Sequence, residues 1–193
     1  MSRQAIVLAA GAGTRFGGGK LLADWRGRPL VLAALEAALA APVEAVIVVL
    51  GCEEPRVAAA LATLTDARLR LVVADDWAEG LSASLRAGVA SLPSGSAGFL
   101  LFLGDMPLIP PELTSRLLSA LDDGAAAVQP FHGQMPAHPV GFSAALYGDL
   151  QRLSGDAGAG ALLRGRADVV RLSCGEAGSV FDVDRPDDTT GAP

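Results

Sequence analysis

A glycine-rich segment near the amino terminus, residues 8–20, constrains the fold more than any other stretch of this chain. It follows an apolar run, residues 5–8, that is typical of a buried strand, and it holds five glycines within residues 11–19. Glycines let backbone N–H groups turn toward a ligand without obstruction by Cβ. Arg15 and Lys20 add positive charge, which suits an anion such as a phosphate chain. The segment therefore predicts a phosphate-binding loop.

Two common phosphate-binding patterns do not fit this loop. A Walker loop would need glycine where Thr14 stands and Ser or Thr where Leu21 stands. The dinucleotide-binding fingerprint would need glycine at Phe16. A mobile linker is the remaining alternative, but linkers rarely follow a buried strand directly or carry Arg and Lys at their ends. We therefore expect a phosphate loop of another type.

Strand-like and helix-like segments alternate after the loop. Apolar runs predict strands over residues 45–50, 69–73, 99–103 and 125–129. Between them, helices are predicted over residues 29–40, 54–63, 81–92 and 111–121. This alternation predicts an α/β fold with three α/β/α layers and a mainly parallel sheet. Ligand loops of such sheets gather at the carboxyl ends of the strands, so the glycine-rich loop, Asp75 and Asp105 are expected to share one crevice.

The last third of the chain is less regular. We expect a loop over residues 131–137, a helix over 144–153 and a second glycine-rich stretch over 154–160. Further strands are predicted over residues 140–143, 168–172 and 179–181, and a frayed tail over 189–193. No repeat or interdomain linker is evident, so residues 1–193 are expected to form a single domain.

Composition excludes several classes of function. A net charge of −6 without a basic stripe argues against nucleic acid as a partner. No apolar stretch reaches the eighteen or so residues that span a membrane, so no membrane partner is expected. Two cysteines, Cys52 and Cys174, make neither a disulfide framework nor a metal site. With no signal peptide at the amino terminus, these features predict a cytoplasmic protein.

Carboxylates provide the candidate metal ligands. Asp105 comes directly after an apolar strand in Gly104-Asp-Met-Pro107, where a hard oxygen ligand suits Mg²⁺. The alternative is an aspartate that only stabilises a turn. If the strand before Asp182 continues, Asp182 and Asp184 lie on the same side, and either could be the second ligand.

Taken together, the motifs resemble the MobA-like nucleotidyltransferases, the family of molybdenum-cofactor cytidylyl- and guanylyltransferases. The similarity rests on the loop L-A-A-G-A-G-T-R-F-G-G-G-K, on G-D-M-P at 104–107, on H-P-V at 138–140, and on residues 75–88 and 182–187. It implies a Rossmann-like fold and Mg²⁺-dependent transfer of CMP from CTP to molybdopterin or its molybdenum form, with release of pyrophosphate. A molybdenum hydroxylase is a possible client of such an enzyme.

The resemblance also assigns roles to residues. Arg15 would stabilise the leaving pyrophosphate, Lys20 would bridge the α-phosphate and the acceptor phosphate, and Asp105 would bind the metal. His138 and Asp156 would contact the acceptor. The nucleotide would be bound by Leu8, Ala9, Ala10, Gly11, Gly13, Thr14, Arg15, Lys20, Asp75, Gly80, Ser82 and Ser84. For Ser82, a helix-capping role is an equal alternative.

The choice of substrate has the least support from the sequence. Ala10 points to CTP, because guanylyltransferases of this family usually have glycine at the matching position. A guanylyltransferase, or a transferase acting on a sugar phosphate, would keep the same fold. A different class of protein is a non-catalytic accessory module that binds the molybdenum cofactor. The presence of Arg15, Lys20 and Asp105 together argues against that class.

Overall fold

Ten strands are present in the computed structural model, which describes residues 1–190. In chain order they are β1 (Arg3–Ala9), β2 (Asp24–Trp25), β3 (Arg28–Pro29), β4 (Ala45–Leu50), β5 (Leu69–Val73), β6 (Gly98–Leu103), β7 (Ala127–His132), β8 (Met135–Pro136), β9 (Val140–Ser143) and β10 (Val169–Ser173). The short strands β2 and β3 pair as a separate hairpin, and the other eight form one sheet.

Six α-helices surround this sheet. They are α1 (Leu30–Ala40), α2 (Glu54–Leu61), α3 (Leu81–Ala90), α4 (Pro111–Asp122), α5 (Tyr147–Gln151) and α6 (Ala159–Leu163). Helices α1, α2 and α4 pack on one face of the sheet, and α3, α5 and α6 pack on the other. The expected three-layer α/β/α architecture is confirmed.

The strand order is β10-β7-β9-β6-β1-β4-β5, with β8 paired to β7. Strands β6, β1, β4 and β5 run parallel to one another, and β10 runs parallel to β7. Strand β9 runs antiparallel to both β6 and β7, so it is the main exception. The sheet is therefore mixed but mainly parallel, as predicted.

Burial on both faces explains why the central strands have continuous apolar sequences. Every residue of β1 and β4 is buried. Because successive strand residues point to opposite faces, Val7 packs in one core cluster while its neighbours Ile6 and Leu8 pack in the other. A third, smaller cluster lies around Trp25, Leu30 and Val183, beneath the β2–β3 hairpin.

Several predicted boundaries were wrong. Residues 179–181 do not form a strand, because Ala177–Val180 is a 3₁₀ turn in which Ser179 Oγ donates to the carbonyl of Glu176. The expected loop over 131–137 contains the β7–β8 hairpin, which reverses at Gly133 with a φ of 60°. The helix expected over 144–153 is a 3₁₀ turn followed by the short helix α5.

Three other predictions, one before the first helix and two near the carboxyl terminus, also differ from the structure. Pro29 precedes the first helix instead of starting it, because it is extended and paired with Asp24 in the hairpin. The segment that carries Asp182 and Asp184 is irregular and does not continue a strand. Of the tail predicted over residues 189–193, Thr189 is the last residue of a 3₁₀ turn, Pro186–Thr189, and residues 191–193 lie outside the described part. In residues 1–190, no helix is long and apolar enough to cross a membrane.

Candidate nucleotide-binding and active site

A cavity of about 560 Å³ opens at the carboxyl ends of β1 and β6. Most of the predicted site residues line it: Leu8, Ala9, Ala10, Gly11, Gly13, Thr14, Lys20, Gly80, Ser84, Asp105 and Asp156. A smaller adjoining cavity of about 220 Å³ is lined by Arg15 and Asp184, and it shares Gly13, Thr14 and Lys20 with the first. The expected crevice therefore holds the glycine-rich loop and Asp105, but Asp75, which we placed there as well, lies outside it.

Glycine geometry shapes the loop over residues 11–20. Gly13 is left-handed with a φ of 58°, and its carbonyl accepts from the N–H groups of Phe16 at 3.0 Å and Gly18 at 3.2 Å. A Cβ at Gly13 would lie 2.8 Å from Cβ of Lys20. Because such a contact is too short, a side chain at this position would displace Lys20. Glycine is thus required both for the turn and for the approach of the lysine.

Lys20 joins two carboxylates from distant parts of the chain. Its Nζ donates to Oδ2 of Asp105 at 2.7 Å and to Oδ1 of Asp184 at 2.9 Å. Desolvation alone would lower the pKa of Lys20, but the charges and hydrogen bonds of both aspartates outweigh it and hold this pKa above its usual value. Lys20 is therefore a full cation at neutral pH.

Arg15 completes this charged cluster. Its guanidinium donates to Oδ2 of Asp184 at 2.9 Å, while most of its side chain is exposed to solvent. The hydrogen bond from Lys20, opposed by partial desolvation and assisted by Arg15, lowers the pKa of Asp184. An exposed cation, Arg15, and a largely buried cation, Lys20, suit the two ends of a polyphosphate.

The two carboxylates that contact Lys20 fit a hard divalent cation. Oδ1 of Asp105 is buried and makes no hydrogen bond within residues 1–190, so one oxygen ligand is free of other partners. No cluster of three or more His, Cys, Asp or Glu side chains within that range is arranged to hold a metal ion. Mg²⁺ usually takes only one or two carboxylates and completes its shell with water and substrate phosphates. Asp105 with one further aspartate meets that requirement.

Asp182 lies at the edge of the same cluster. Partial desolvation, followed by the charges of Asp184 and Asp105, raises the pKa of Asp182. The carboxylates are thus close enough to repel one another, and Lys20 only partly offsets that repulsion. A bound cation would relieve it.

The second glycine-rich stretch forms part of the opposite wall. The carbonyl of Gly155 accepts from the N–H of Ser82 at 3.1 Å. Gly80 is left-handed with a φ of 118°, and a Cβ there would lie 2.6 Å from Oδ1 of Asp156 and from the Gly155 backbone. This close packing explains why Gly80 and Asp156 line the cavity together, although they are far apart in sequence.

Not every predicted residue reaches the main cavity. Ser82 is the buried second residue of α3, and its Oγ accepts from Arg86 at 3.2 Å. It is not the cap, because the helix begins at Leu81 after Gly80. Asp75 is exposed and lies outside the cavity lining.

The two predicted acceptor residues lie apart. Asp156 lines the cavity, whereas His138 does not. The N–H of His138 donates to the carbonyl of Ser179 at 2.8 Å, and its ring Nδ1 is buried without a partner in residues 1–190. Burial lowers the pKa of His138, opposed by a backbone hydrogen bond to Leu101 and by the charge of Asp105. His138 therefore lies outside the cavity lining, but close enough to Asp105 to feel its charge.

Six residues of the cavity lining were not among the predicted site residues: Ala12, Leu21, Trp77, Ala78, Leu81 and Leu103. Trp77 and Leu81 are two of them. Both follow β5, close to Asp75, and their apolar side chains gave no sign of a ligand contact. The location after a strand end was the one available signal.

Comparison with known families shows which family this chain belongs to. Residues 5–171 match the model of the MobA-like NTP transferase domain. The chain belongs to this family. The matched range includes most of β1, the glycine-rich loop and Asp105, but it stops before Asp182 and Asp184.

Curated relatives of this MobA-like domain differ in their named activities. Nicotine blue oxidoreductase of Paenarthrobacter nicotinovorans is 34% identical over 93% of this chain and 90% of its own length. A 2-C-methyl-D-erythritol 4-phosphate cytidylyltransferase of Cereibacter sphaeroides is 34% identical over 72% of this chain and 60% of its own. The bifunctional protein GlmU of Sorangium cellulosum is 35% identical over 61% of this chain, which spans only 26% of that protein.

Solved structures give the same fold. A homologue of Rv0371c from Mycobacterium sp. strain JC1 superposes with a TM-score of 0.85 at 31% identity, covering 97% of this chain and 93% of the other. A manganese complex of Rv0371c from Mycobacterium tuberculosis superposes with a TM-score of 0.76 at 28% identity, covering 90% and 89%.

Proposed function

We propose that this MobA-like domain is a Mg²⁺-dependent nucleotidyltransferase that moves CMP from CTP to the terminal phosphate of molybdopterin or its molybdenum form. The observation that carries the proposal is the contact of Lys20 with Asp105 and Asp184 beside the glycine-rich loop. That arrangement brings a glycine-rich loop, two cations and a pair of carboxylates to the two adjoining cavities, and in this proposal they bind the phosphates and the metal.

In the proposed reaction, an oxygen of the acceptor phosphate attacks the α-phosphorus of CTP in line. The bond from that phosphorus to the bridging oxygen of the β-phosphate breaks, and pyrophosphate leaves. No protein nucleophile is needed, so catalysis depends on orientation and on neutralising charge.

The glycine-rich loop and the nearby aspartates have separate roles in this reaction. Backbone N–H groups of residues 11–14 orient the phosphates. Lys20 turns from Asp105 and Asp184 toward the α-phosphate and the incoming acceptor phosphate. Arg15, with its exposed guanidinium, follows the departing pyrophosphate. When bound by Asp105 with Asp184 or Asp182, Mg²⁺ supplies Lewis-acid polarisation of the phosphates. The manganese complex of a similar mycobacterial protein supports the use of a divalent cation.

Support for CTP comes from Ala10 and from similarity to a named cytidylyltransferase. The acceptor rests on family membership, and a molybdenum hydroxylase is the proposed client. GTP or a sugar phosphate would require the same residues at the phosphate loop. A relative that covers 93% of this chain is named for an oxidoreductase activity, so a redox reaction is the second candidate.

Calorimetric titration with CTP, GTP, ATP and UTP, each with and without Mg²⁺, tests this proposal. We expect Mg²⁺-dependent binding of CTP, lost in Asp105→Ala, and pyrophosphate release when molybdopterin is added. Preference for GTP would move the protein to the guanylyl branch. Binding of molybdopterin without nucleotide would favour the accessory module. Oxidation of a reduced nicotinamide cofactor, with no nucleotide binding, would favour the redox candidate.

A further inference from the structure

Trp77 is the only aromatic residue that lines the main cavity in the described part of the chain. It lies in a 3₁₀ turn, Trp77–Glu79, between β5 and α3, and it is partly buried against the core cluster that contains Leu85. An indole held at a cavity wall offers a flat apolar face to a ligand. Planar heteroaromatic rings stack on such faces.

The backbone brings Trp77 to the end of the cavity where Ala10 lies. A Cβ at Gly51 would lie 2.7 Å from Cβ of Ala10 and 2.8 Å from Cβ of Trp77. Gly51 is therefore the spacer that lets Ala10 and Trp77 approach each other. The phosphate-binding residues Arg15 and Lys20 border the other part of the site. A nucleotide with its phosphates on the loop would direct its base toward Ala10 and Trp77.

Arg86 holds the turn that carries Trp77. Its Nη2 donates to Asp76 at 2.8 Å and to Glu79 at 3.2 Å, so it binds the residues on both sides of the tryptophan. Its Nη1 donates to Ser82 Oγ and, at 3.0 Å, to the carbonyl of Leu153, just before the second glycine-rich stretch. One guanidinium thus fixes three segments that form the same wall.

We propose that Trp77 stacks on the base of the bound nucleotide and that Arg86 is the positioning residue for this stacking. The inference rests on the proposed nucleotide-binding function of the cavity, and it adds the contact that recognises the base as a planar ring. Stacking is tolerant of base identity. Selection among bases is then left to Ala10 and its neighbours, whereas Trp77 contributes affinity.

The chain contains only two tryptophans, which gives a direct test. Trp25 is 2% exposed in the third core cluster, so a Trp25→Phe variant reports on Trp77 alone. We expect CTP and cytidine to quench Trp77 fluorescence, and pyrophosphate to leave it unchanged. If Trp25→Phe does not fold, the difference between the wild type and Trp77→Phe provides the same signal.

Binding constants decide whether the quenching reflects stacking. Trp77→Leu should weaken CTP about tenfold or more, whereas Trp77→Phe should retain most of the affinity. Pyrophosphate should bind all three proteins equally. Equal CTP affinity in Trp77→Leu, or quenching by a pterin but not by cytidine, would overturn the proposal. Failure of both CTP and pyrophosphate to bind the wild type would instead reject the nucleotide-binding function itself.

Arg86→Met tests the positioning role, and Arg166→Met is the matched control. Arg166 also contacts two carboxylates, Asp149 and Asp168, but neither lines the cavity. We expect Arg86→Met to weaken CTP several-fold, to leave pyrophosphate binding unchanged and to increase the rotational freedom of Trp77 in fluorescence anisotropy. Unchanged anisotropy and CTP affinity in Arg86→Met would overturn the positioning role of Arg86. An equal loss of CTP affinity in Arg166→Met would overturn it as well.

Discussion

The ammonium group of Lys20 donates to Asp105 across 2.7 Å, although 85 residues separate the two in sequence. Lys20 is also the only lysine in the chain, whose other strongly basic residues are all arginines. A lysine is a compact point charge that can move between partners, whereas an arginine binds carboxylates through a fixed planar fork. The residue at this contact is thus the one suited to moving from carboxylates to phosphates.

Replacing Lys20 by methionine should therefore remove turnover without unfolding the protein. The variant loses the charge that the α-phosphate and acceptor phosphate would share, so we expect turnover to fall by about 100-fold or more. Asp105 and Asp184 also lose a partner, which should lower stability by about 1 kcal/mol at these partly exposed positions. Pyrophosphate release and urea denaturation measure the two effects, with Arg28→Met as a surface control.

Asp105 and Asp184 should both contribute to metal binding. We expect Asp105→Asn and Asp184→Asn to weaken Mn²⁺ binding in the presence of CTP by about tenfold or more, because each removes a negatively charged oxygen ligand. Electron paramagnetic resonance of free Mn²⁺ measures this directly. Asp187→Asn is the control, since this residue is exposed and outside both cavities. A larger loss in Asp182→Asn than in Asp184→Asn would assign the second ligand to Asp182 instead.

Ala10 should control the choice of base. It is buried, and its carbonyl accepts from the N–H of Cys52 at 3.1 Å, so its backbone is fixed at the cavity wall. Ala10→Gly removes a methyl group there, and we expect the preference for CTP over GTP to fall several-fold. Relative binding constants for the two nucleotides measure the change, and Ala74→Gly, a buried alanine outside the cavity lining, is the control. An unchanged ratio would remove Ala10 from base selection.

Local sequence patterns were sufficient to predict the parts of the fold that depend on residues close together in the chain. The apolar runs of β1, β4 and β6 predicted buried strands because both faces of the sheet are covered. The order of strands and loops predicted a common crevice, so Asp105 and the glycine-rich loop could be placed together.

Contacts between segments that are far apart in the chain could not be predicted from local sequence patterns. Nothing near Lys20 in the sequence indicates that Asp184 will lie 2.9 Å away, since an irregular carboxyl-terminal segment brings it there. The packing of Gly155 on Ser82 likewise depends on the whole domain. Ser82 matched a capping pattern, but α3 begins at Leu81 after Gly80, so Ser82 lies inside the helix and its Oγ accepts from Arg86 one turn later.

His138 should make the protein less stable in mild acid. In the folded protein, burial holds the pKa of His138 below its usual value. Below a pH of about 6.5, His138 is therefore protonated in the unfolded chain but still neutral in the folded protein. This contribution to stability is complete above that pH and is lost as pH falls toward the folded pKa. We expect the free energy of unfolding in urea to decrease from about pH 7.5 to 5.5, and to decrease less in His138→Asn. His132→Asn is the control, and equal slopes in the wild type and His138→Asn would contradict the prediction.

Gly51 should tolerate no side chain, because it separates Ala10 from Trp77. In Gly51→Ala the new methyl group would lie 2.7 Å from Cβ of Ala10, and 2.8 Å from its backbone carbonyl oxygen and from Cβ of Trp77. The backbone oxygen cannot move cheaply, so we expect a loss of about 1–3 kcal/mol in the free energy of unfolding and a displaced Trp77. Urea denaturation and the tryptophan emission maximum measure these effects. Gly175→Ala is the matched control, since no atom lies within 4 Å of a Cβ placed there. Equal stability of the two variants would show that Ala10 and Trp77 can separate freely.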